Sequence, residues 1–160
     1  MTDQILPKAK KSVALSGTAA GNTAICTVGR TGNDLSYRGY DIKLLAESCE
    51  FEEVAFLIIY GKLPNQTELD DYKAKLKSLR GLPDGVKTAL ETLPKSAHPM
   101  DVMRTGCSVL GCLETEQDIT DKDNANHIID RLLASFGSML VYWYHYAFNG
   151  KRIDVETDDD

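Results

Sequence analysis

From residue 41 onward, apolar residues recur at intervals of three and four, which is the spacing of one face of an α-helix. Positions 51–59 give the first long example, with an expected inner face formed by Phe51, Val54, Ala55, Ile58 and Ile59. Gly61 and Pro64 are expected to end this helix, because glycine often closes a helix and proline does not continue one. Asp41 predicts the cap of a shorter helix over residues 42–47.

The next helix is predicted to begin after Asn65, because Asn65 and Glu68 have the spacing of a capping box. Its expected inner stripe is formed by Leu69, Tyr72, Leu76 and Leu79. Three lysines at positions 73, 75 and 77 are expected mostly on the outer side. Lysines in such positions usually only solvate a helix, and contact with an anionic ligand is the less frequent alternative.

Three more helices are predicted in the second half of the chain. The first covers residues 84–93, and the second begins at Pro99, because proline is favourable in the first turn of a helix. The expected inner residues of the second are Val102, Met103, Val109 and Leu110. Residues 114–126 are acidic and predict an exposed loop, and the longest helix then carries apolar residues over positions 128–148.

The longest helix has two interpretations. Residues 132–148 include no charged side chain, and these 17 positions are just at the lower limit for crossing a bilayer. We favour a central helix of a larger helical protein, because Ser135, Ser138 and His145 interrupt the run and nothing else indicates a membrane. A helix that is apolar nearly all round needs neighbours on several sides, and the preceding short helices do not easily surround it.

Residues 13–40 have a different pattern, rich in small and β-branched side chains. Residues 24–28 and 35–38 suit strands, and a turn cluster lies between them at residues 31–34, which predicts a small β-hairpin. Residues 1–12 are polar and basic and are interpreted as a flexible arm. The predicted fold class is therefore mainly α, with a β element over residues 13–40 and helices over residues 41–160.

Composition narrows the function classes. A net charge of −6 argues against a general nucleic-acid binder, which needs a basic face. The first residues lack the apolar core of a signal peptide. Four cysteines without a C-x-x-C pair favour reduced thiols in the cytoplasm over a zinc site. A redox pair of Cys107 and Cys112 is a weaker alternative, because five residues on a helix place them about 140° apart.

The three histidines are the first candidates for chemistry, since the chain has no G-x-S-x-G, P-loop or H-E-x-x-H motif. We interpret His127 as a surface residue and His145 as a packed helix residue. His98 precedes a helix start, and Arg104 follows it with a guanidinium fork suited to carboxylate or phosphate. The residues alone favour a plainer reading, in which His98 caps local backbone and Arg104 forms an interface ion pair.

Three segments, in this order and spacing, resemble the citrate synthase family. They are YRGYDI at residues 37–42, FEEVA at residues 51–55 leading to YGKLP at residues 60–64, and HPMDVMRT at residues 98–105. Further segments resemble the branch of that family that uses propionyl-CoA: KSVALSG at residues 11–17, AGNT at residues 20–23, Leu82-Pro83, YWYHY at residues 142–146 and ETDDD at residues 156–160. The resemblance covers essentially the whole chain from Lys11.

The resemblance implies the N-terminal part of the large domain of a citrate synthase-like helical fold, assembled as a homodimer. The helices after Pro83 and after Pro99 match those that form the dimer interface in the family. His98, Met100, Arg104 and Arg38 are accordingly expected to be interface or structural residues. Lys75 is the one residue of this chain that the resemblance assigns to substrate contact.

The implied reaction is a Claisen-type condensation of propionyl-CoA with oxaloacetate, followed by thioester hydrolysis. In the family an aspartate removes the α-proton while a histidine stabilises the enol, and a second histidine polarises the oxaloacetate carbonyl. These residues are expected beyond Asp160, and none of the three histidines of this chain matches them. Acyl-CoA is a substrate, and no metal or permanently bound cofactor is implied.

Two alternatives remain beside this interpretation. The first is the same part of a citrate synthase that uses acetyl-CoA, a substrate that differs from propionyl-CoA by one methyl group. The second belongs to another class, a non-catalytic helical module that pairs with a full-length synthase subunit. The chain on its own, which ends at Asp160, is expected to be inactive.

Overall fold

The computed structural model describes residues 21–29, 34–114, 118 and 120–156. The predicted arm at residues 1–12 and the tip of the hairpin at residues 31–33 lie outside the described residues. Three short strands come first: β1 (Cys26–Val28), β2 (Leu35–Tyr37) and β3 (Tyr40–Asp41). The helices follow as α1 (Ile42–Ser48), α2 (Phe51–Tyr60), α3 (Gln66–Leu79), α4 (Asp84–Glu91), α5 (Pro99–Leu113) and α6 (Lys122–Asn149). The predicted fold class, mainly α with a small β element, is confirmed.

The β element is an antiparallel sheet in the order β1-β2-β3, with Cys26 opposite Tyr37. The predicted hairpin is present, and a third strand that the sequence did not predict extends it. Arg38 and Gly39 form the two-residue turn between β2 and β3, with φ values of +50° and +92°. Two positive φ angles in succession match the right-handed twist of paired strands, so the chain folds back at once and forms β3.

Local signals place the ends of several helices where the sequence predicts them. The Asp41 side chain accepts a hydrogen bond from the backbone N–H of Lys43, 2.7 Å away, and caps α1. Asn65 and Glu68 form the capping box of α3, with bonds of 3.0 and 2.9 Å. Gly61 and Gly150 end α2 and α6 in the left-handed conformation, which glycine adopts without steric cost.

The inner face of α2 differs from the prediction. Leu57 has no exposed surface and is the buried residue of the helix, although the spacing left it off the inner face. Phe51, which the spacing placed inside, is 64% exposed. The physical reason is that apolar side chains surround this ten-residue helix, so periodicity alone does not select one face.

The main core lies where α4, α5 and α6 meet. Gly106 on α5 lets α6 come close, because a Cβ at this position would lie 2.7 Å from Sδ of the fully buried Met139. On α5, Val102 and Leu110 are buried as predicted, while Met103 and Val109 are only partly buried. The buried cluster consists of Leu82, Val86, Leu90, Val102, Leu110, Met139, Tyr142 and Trp143.

Helix α6 begins earlier than predicted. The acidic loop was expected to continue to residue 126, but Asp121 accepts a hydrogen bond from the N–H of Asp123 at 3.0 Å and starts the helix at Lys122. The polar composition of the first turn therefore reflects capping rather than a loop. Within the described ranges, no helix combines the length and hydropathy that a bilayer crossing requires.

Candidate functional site

The most organised polar cluster surrounds Asp130, in the first half of α6. This carboxylate has no exposed surface and accepts three hydrogen bonds from side chains of α2 and α3. Tyr60 donates to Oδ2 at 2.6 Å, Tyr72 donates to Oδ1 at 2.9 Å, and the Lys75 ammonium reaches Oδ2 at 2.5 Å. The ammonium also lies 3.2 Å from the Tyr60 hydroxyl. The cluster thus joins three helices through one buried carboxylate.

Local sequence explains how these groups meet. Tyr72 and Lys75 are three residues apart on α3, so they share one side of that helix. Tyr60 is the last residue of α2 and packs edge-on against the Tyr72 ring at 5.8 Å. Asp130 lies within the apolar stripe of α6, and its carboxylate contacts both tyrosine hydroxyls.

The electrostatics favour a charged lysine and neutral tyrosines. Burial opposes the charge of Lys75, but hydrogen bonds to Asp130 and Tyr60 outweigh it, and the pKa of Lys75 is raised. Burial and the hydrogen bond to Asp130 raise the pKa of Tyr60, and the same two causes raise the pKa of Tyr72 further. The cluster therefore holds one fixed ammonium ion at the edge of a buried site.

The three lysines of α3 were expected mostly on the outer side of the helix, and this expectation is wrong for Lys75. Lys73 forms a surface ion pair with Glu50, and Lys77 is exposed. The Lys75 side chain is 39% exposed, but its ammonium group contacts the fully buried Asp130. A buried carboxylate on a distant helix attracts the lysine inward, and the pattern of α3 alone contains no sign of it. Substrate contact by Lys75 stays a prediction.

The residues expected at an interface lie at the start of α5 and at the β-turn. His98 caps α5, with Nδ1 accepting from the N–H of Met100 at 3.2 Å, and Met100 is 65% exposed. Arg104 is exposed and pairs with Asp101 on the same helix at 3.0 Å. Arg38 is partly buried and donates to the carbonyl of Ile58 at 2.7 Å, which ties the sheet to α2. A role for the α5 residues in a dimer interface stays a prediction.

The described histidines do not converge on one site. His98 and His127 are exposed at α5 and α6, and His145 faces Asn149 one turn away at 3.5 Å. No three or more His, Cys, Asp or Glu side chains cluster at metal-binding distance within the described part of the chain. The four cysteines are free thiols, and burial raises the pKa of the Cys107 thiol.

Sequence reasoning missed Asp130. A signal was present, because a lone carboxylate within the run Ile128, Ile129, Leu132 and Leu133 lies on an otherwise apolar stripe. Acidic residues are almost never fully buried unless they are paired, so a carboxylate on such a stripe calls for donors on facing helices. The donors themselves, 55 to 70 residues away, follow only from the packing.

The six helices with a small sheet define a mainly helical class of protein, and comparison with known proteins identifies the family. Residues 14–160 match the family model described as "Citrate synthase, C-terminal domain". The structure resembles the crystal structure of citrate synthase from Thermotoga maritima, with a TM-score of 0.72 and 31% identity over 89% of this chain and 36% of that one. The chain belongs to the citrate synthase family.

Two curated relatives point to one branch of that family. The chain is 56% identical to 2-methylcitrate synthase from Shewanella oneidensis over 146 residues, which are 91% of this chain and 38% of the relative. It is 39% identical to 2-methylcitrate synthase 2 from Corynebacterium glutamicum over 79% of this chain and 33% of the relative. The chain thus spans between 33% and 38% of the length of these two relatives.

Proposed function

We propose that this chain is the N-terminal portion of a 2-methylcitrate synthase, which condenses propionyl-CoA with oxaloacetate. The observation that carries the proposal is the 56% identity to the Shewanella oneidensis enzyme over 91% of the chain. The N-terminal position rests on the resemblance of residues 37–42, 51–64 and 98–105 to the opening segments of that family. The chain supplies helical scaffold, and the rest of the polypeptide supplies the groups that react.

In the proposed reaction a base removes an α-proton from propionyl-CoA, and the resulting enol carbon attacks the carbonyl of oxaloacetate. Water then hydrolyses the thioester and releases CoA. Both steps need a general acid–base pair and donors that stabilise oxygen as it gains negative charge. The placement of these groups outside this chain rests on the family resemblance, in which none of the three histidines matches a reacting residue. A homodimer and the use of acyl-CoA as substrate, without a resident cofactor, belong to the same proposal.

Lys75 is the proposed substrate-contacting residue of this portion. The Lys75 ammonium donates hydrogen bonds to Asp130 and Tyr60, which hold it in place. The Lys75 side chain is 39% exposed, so the ammonium lies where a substrate could reach it. In the complete synthase, Lys75→Gln is expected to raise KM for at least one substrate. Lys73→Gln removes a neighbouring lysine that pairs only at the surface and is the matched control. Equal KM values for the two variants would refute the assignment of Lys75.

Substrate preference tests the proposed function. The complete synthase is assayed with oxaloacetate and either propionyl-CoA or acetyl-CoA, and the released CoA thiol is measured. One methyl group in an apolar pocket changes selectivity by about 1–3 kcal/mol, so kcat/KM is expected to favour propionyl-CoA by about tenfold or more. Reactions without oxaloacetate measure simple thioester hydrolysis. A clear preference for acetyl-CoA would overturn the proposal in favour of a citrate synthase.

The citrate synthase alternative has its own support, because the Thermotoga maritima citrate synthase shares the fold at a TM-score of 0.72. The fold therefore does not distinguish the two substrates. The higher identity to 2-methylcitrate synthase is the reason for our choice.

The non-catalytic alternative is motivated by exposed aromatic surface. Tyr144 and Phe148 on α6 stack at 4.8 Å, and each is about half exposed. Half-exposed aromatic side chains of this kind are available for contact with a partner. Size-exclusion chromatography with light scattering discriminates the two classes. If this chain is a well-folded monomer that does not bind the full-length synthase, the hypothesis of a non-catalytic pairing module is excluded.

A further inference from the structure

A second polar cluster ties the last described residues to the helical scaffold. Glu91, the final residue of α4, accepts a hydrogen bond from the Tyr142 hydroxyl at 2.7 Å. The Arg152 guanidinium donates to both oxygens of the same carboxylate, through Nε at 2.8 Å and through NH2 at 2.8 Å. Two parallel hydrogen bonds fix the orientation of the guanidinium relative to the Glu91 carboxylate as well as their separation. One carboxylate thus joins α4, α6 and the segment that follows α6.

That segment, residues 151–156, is called the strap below. Gly150 turns the chain at the end of α6, and the N–H of Lys151 donates to the carbonyl of His145 at 3.3 Å. Ile153 and Val155 pack against the core cluster between the helices. The strap is therefore held by apolar contacts along its length, although it has no helical or strand hydrogen bonds.

The far end of the strap lies beside the residues that precede α4. The side chain of Glu156 lies beside Gly81, where an added Cβ would be 2.5 Å from Oε1. The N–H of Glu156 donates to Asp154 at 2.8 Å, which sets the local turn. Gly81 precedes α4 and Glu91 ends it, so the strap runs from one end of α4 to the other.

The two partners of the anchoring ion pair differ in exposure. The Glu91 side chain is 12% exposed, and Tyr142, which also contacts it, is 2% exposed. The Arg152 side chain is 72% exposed. The Glu91 carboxylate is therefore held within the helical scaffold, and the Arg152 side chain reaches it from the solvent side. Loss of Arg152 would release the strap without opening the core.

We propose that Glu91, acting through Arg152, is a positioning residue that sets where the polypeptide leaves this scaffold towards the reacting groups. The inference rests on the proposed function, in which those groups follow this chain. Reacting groups must be held within a fraction of an ångström, and a displacement of about 1 Å can lower the rate about 100-fold. A strap anchored at Arg152 and packed through Ile153 and Val155 carries the position of α4 to the residues that follow it.

The test compares variants of the complete synthase. Arg152→Ala removes the fork, and Arg152→Lys keeps the charge without the two-pronged geometry. We expect Arg152→Ala to lower kcat about 10- to 100-fold with KM values within about threefold, and Arg152→Lys to recover part of the loss. The melting temperature is expected to shift by less than about 4 °C, because the Arg152 side chain is largely exposed and Tyr142 still donates to Glu91 when Arg152 is removed.

Amide hydrogen exchange of the strap is the second readout and does not depend on activity. We expect faster exchange at residues 151–156 in Arg152→Ala than in the wild type, with unchanged exchange in α6. Lys62→Ala is the matched control, since it removes an ion pair with Glu68 in which neither partner belongs to the strap or to α4. That variant is expected to keep wild-type kcat and wild-type exchange.

Several results would overturn the positioning role. They are unchanged strap exchange in Arg152→Ala, faster exchange with kcat within twofold of wild type, a rise in KM alone, or an equal loss in Lys62→Ala. A wild-type synthase without condensation activity would instead refute the proposed function, and the positioning role with it. The exchange readout distinguishes that case, because it still reports whether Arg152 holds the strap.

Discussion

Replacement of Asp130 by alanine is expected to lower the free energy of unfolding by about 3–5 kcal/mol, because it leaves a partly buried ammonium and two tyrosine hydroxyls without their acceptor. All three donors, Tyr60, Tyr72 and Lys75, lie on other helices. The loss therefore weakens the contact of α6 with both α2 and α3. Urea unfolding of the 160-residue chain, followed by circular dichroism, measures the change.

Asp123→Ala is the matched control for this prediction. Asp123 is an exposed carboxylate in the first turn of the same helix, where its interaction with the helix dipole amounts to about 0.3–1 kcal/mol. The two variants remove the same side chain from one helix, and they differ only in burial and partners. A loss of less than about 1 kcal/mol in Asp130→Ala would contradict the assigned role of the cluster.

Replacement of Leu57 by alanine is the second change with a large expected effect. Leu57 has no exposed surface, so its truncation should lower the free energy of unfolding by about 2–5 kcal/mol through lost burial and a residual cavity. No other residue of α2 is fully buried. The same urea titration gives the value.

Phe51→Ala provides the comparison on the same helix. Phe51 is 64% exposed, and surface substitutions usually change stability by no more than about 0.5 kcal/mol. A larger loss in Phe51→Ala than in Leu57→Ala would show that the inner face predicted from periodicity is correct after all. That outcome would also mean that Phe51 is covered in the folded protein.

The parts of the fold that the sequence predicted well are those set by local chemistry. The Asn65–Glu68 capping box and the glycines at 61 and 150 act within one helical turn, so their effect is visible in a short window of sequence. The start of α6 was missed for a related reason. Asp121 is one of several acidic residues in that stretch, and composition alone did not single it out as the cap.

The candidate site was predictable only in part because its members meet through packing. Asp130 is 55 residues from Lys75 and 70 residues from Tyr60 along the chain. No local pattern links residues at such separations, so the inward direction of the Lys75 ammonium was not predicted. The same holds for Glu91 and Arg152, which are 61 residues apart.

The family could be predicted from sequence because segments that resemble it lie in the same order over nearly the whole chain. The comparisons confirm this prediction. Substrate preference is a different kind of question. It depends on a pocket that distinguishes a single methyl group, and the fold shared with citrate synthase does not distinguish the two acyl-CoA substrates. Propionyl-CoA as the substrate therefore stays a proposal until activity is measured.

We propose that this chain provides scaffold and substrate positioning, while the reacting groups belong to the rest of the synthase. The most direct test is the rate of CoA release from propionyl-CoA and oxaloacetate, measured for the 160-residue chain and for the complete synthase at equal concentration. We expect no release above background by the chain alone and sustained turnover by the complete protein. Oxaloacetate-dependent turnover by the chain alone would refute this division of roles.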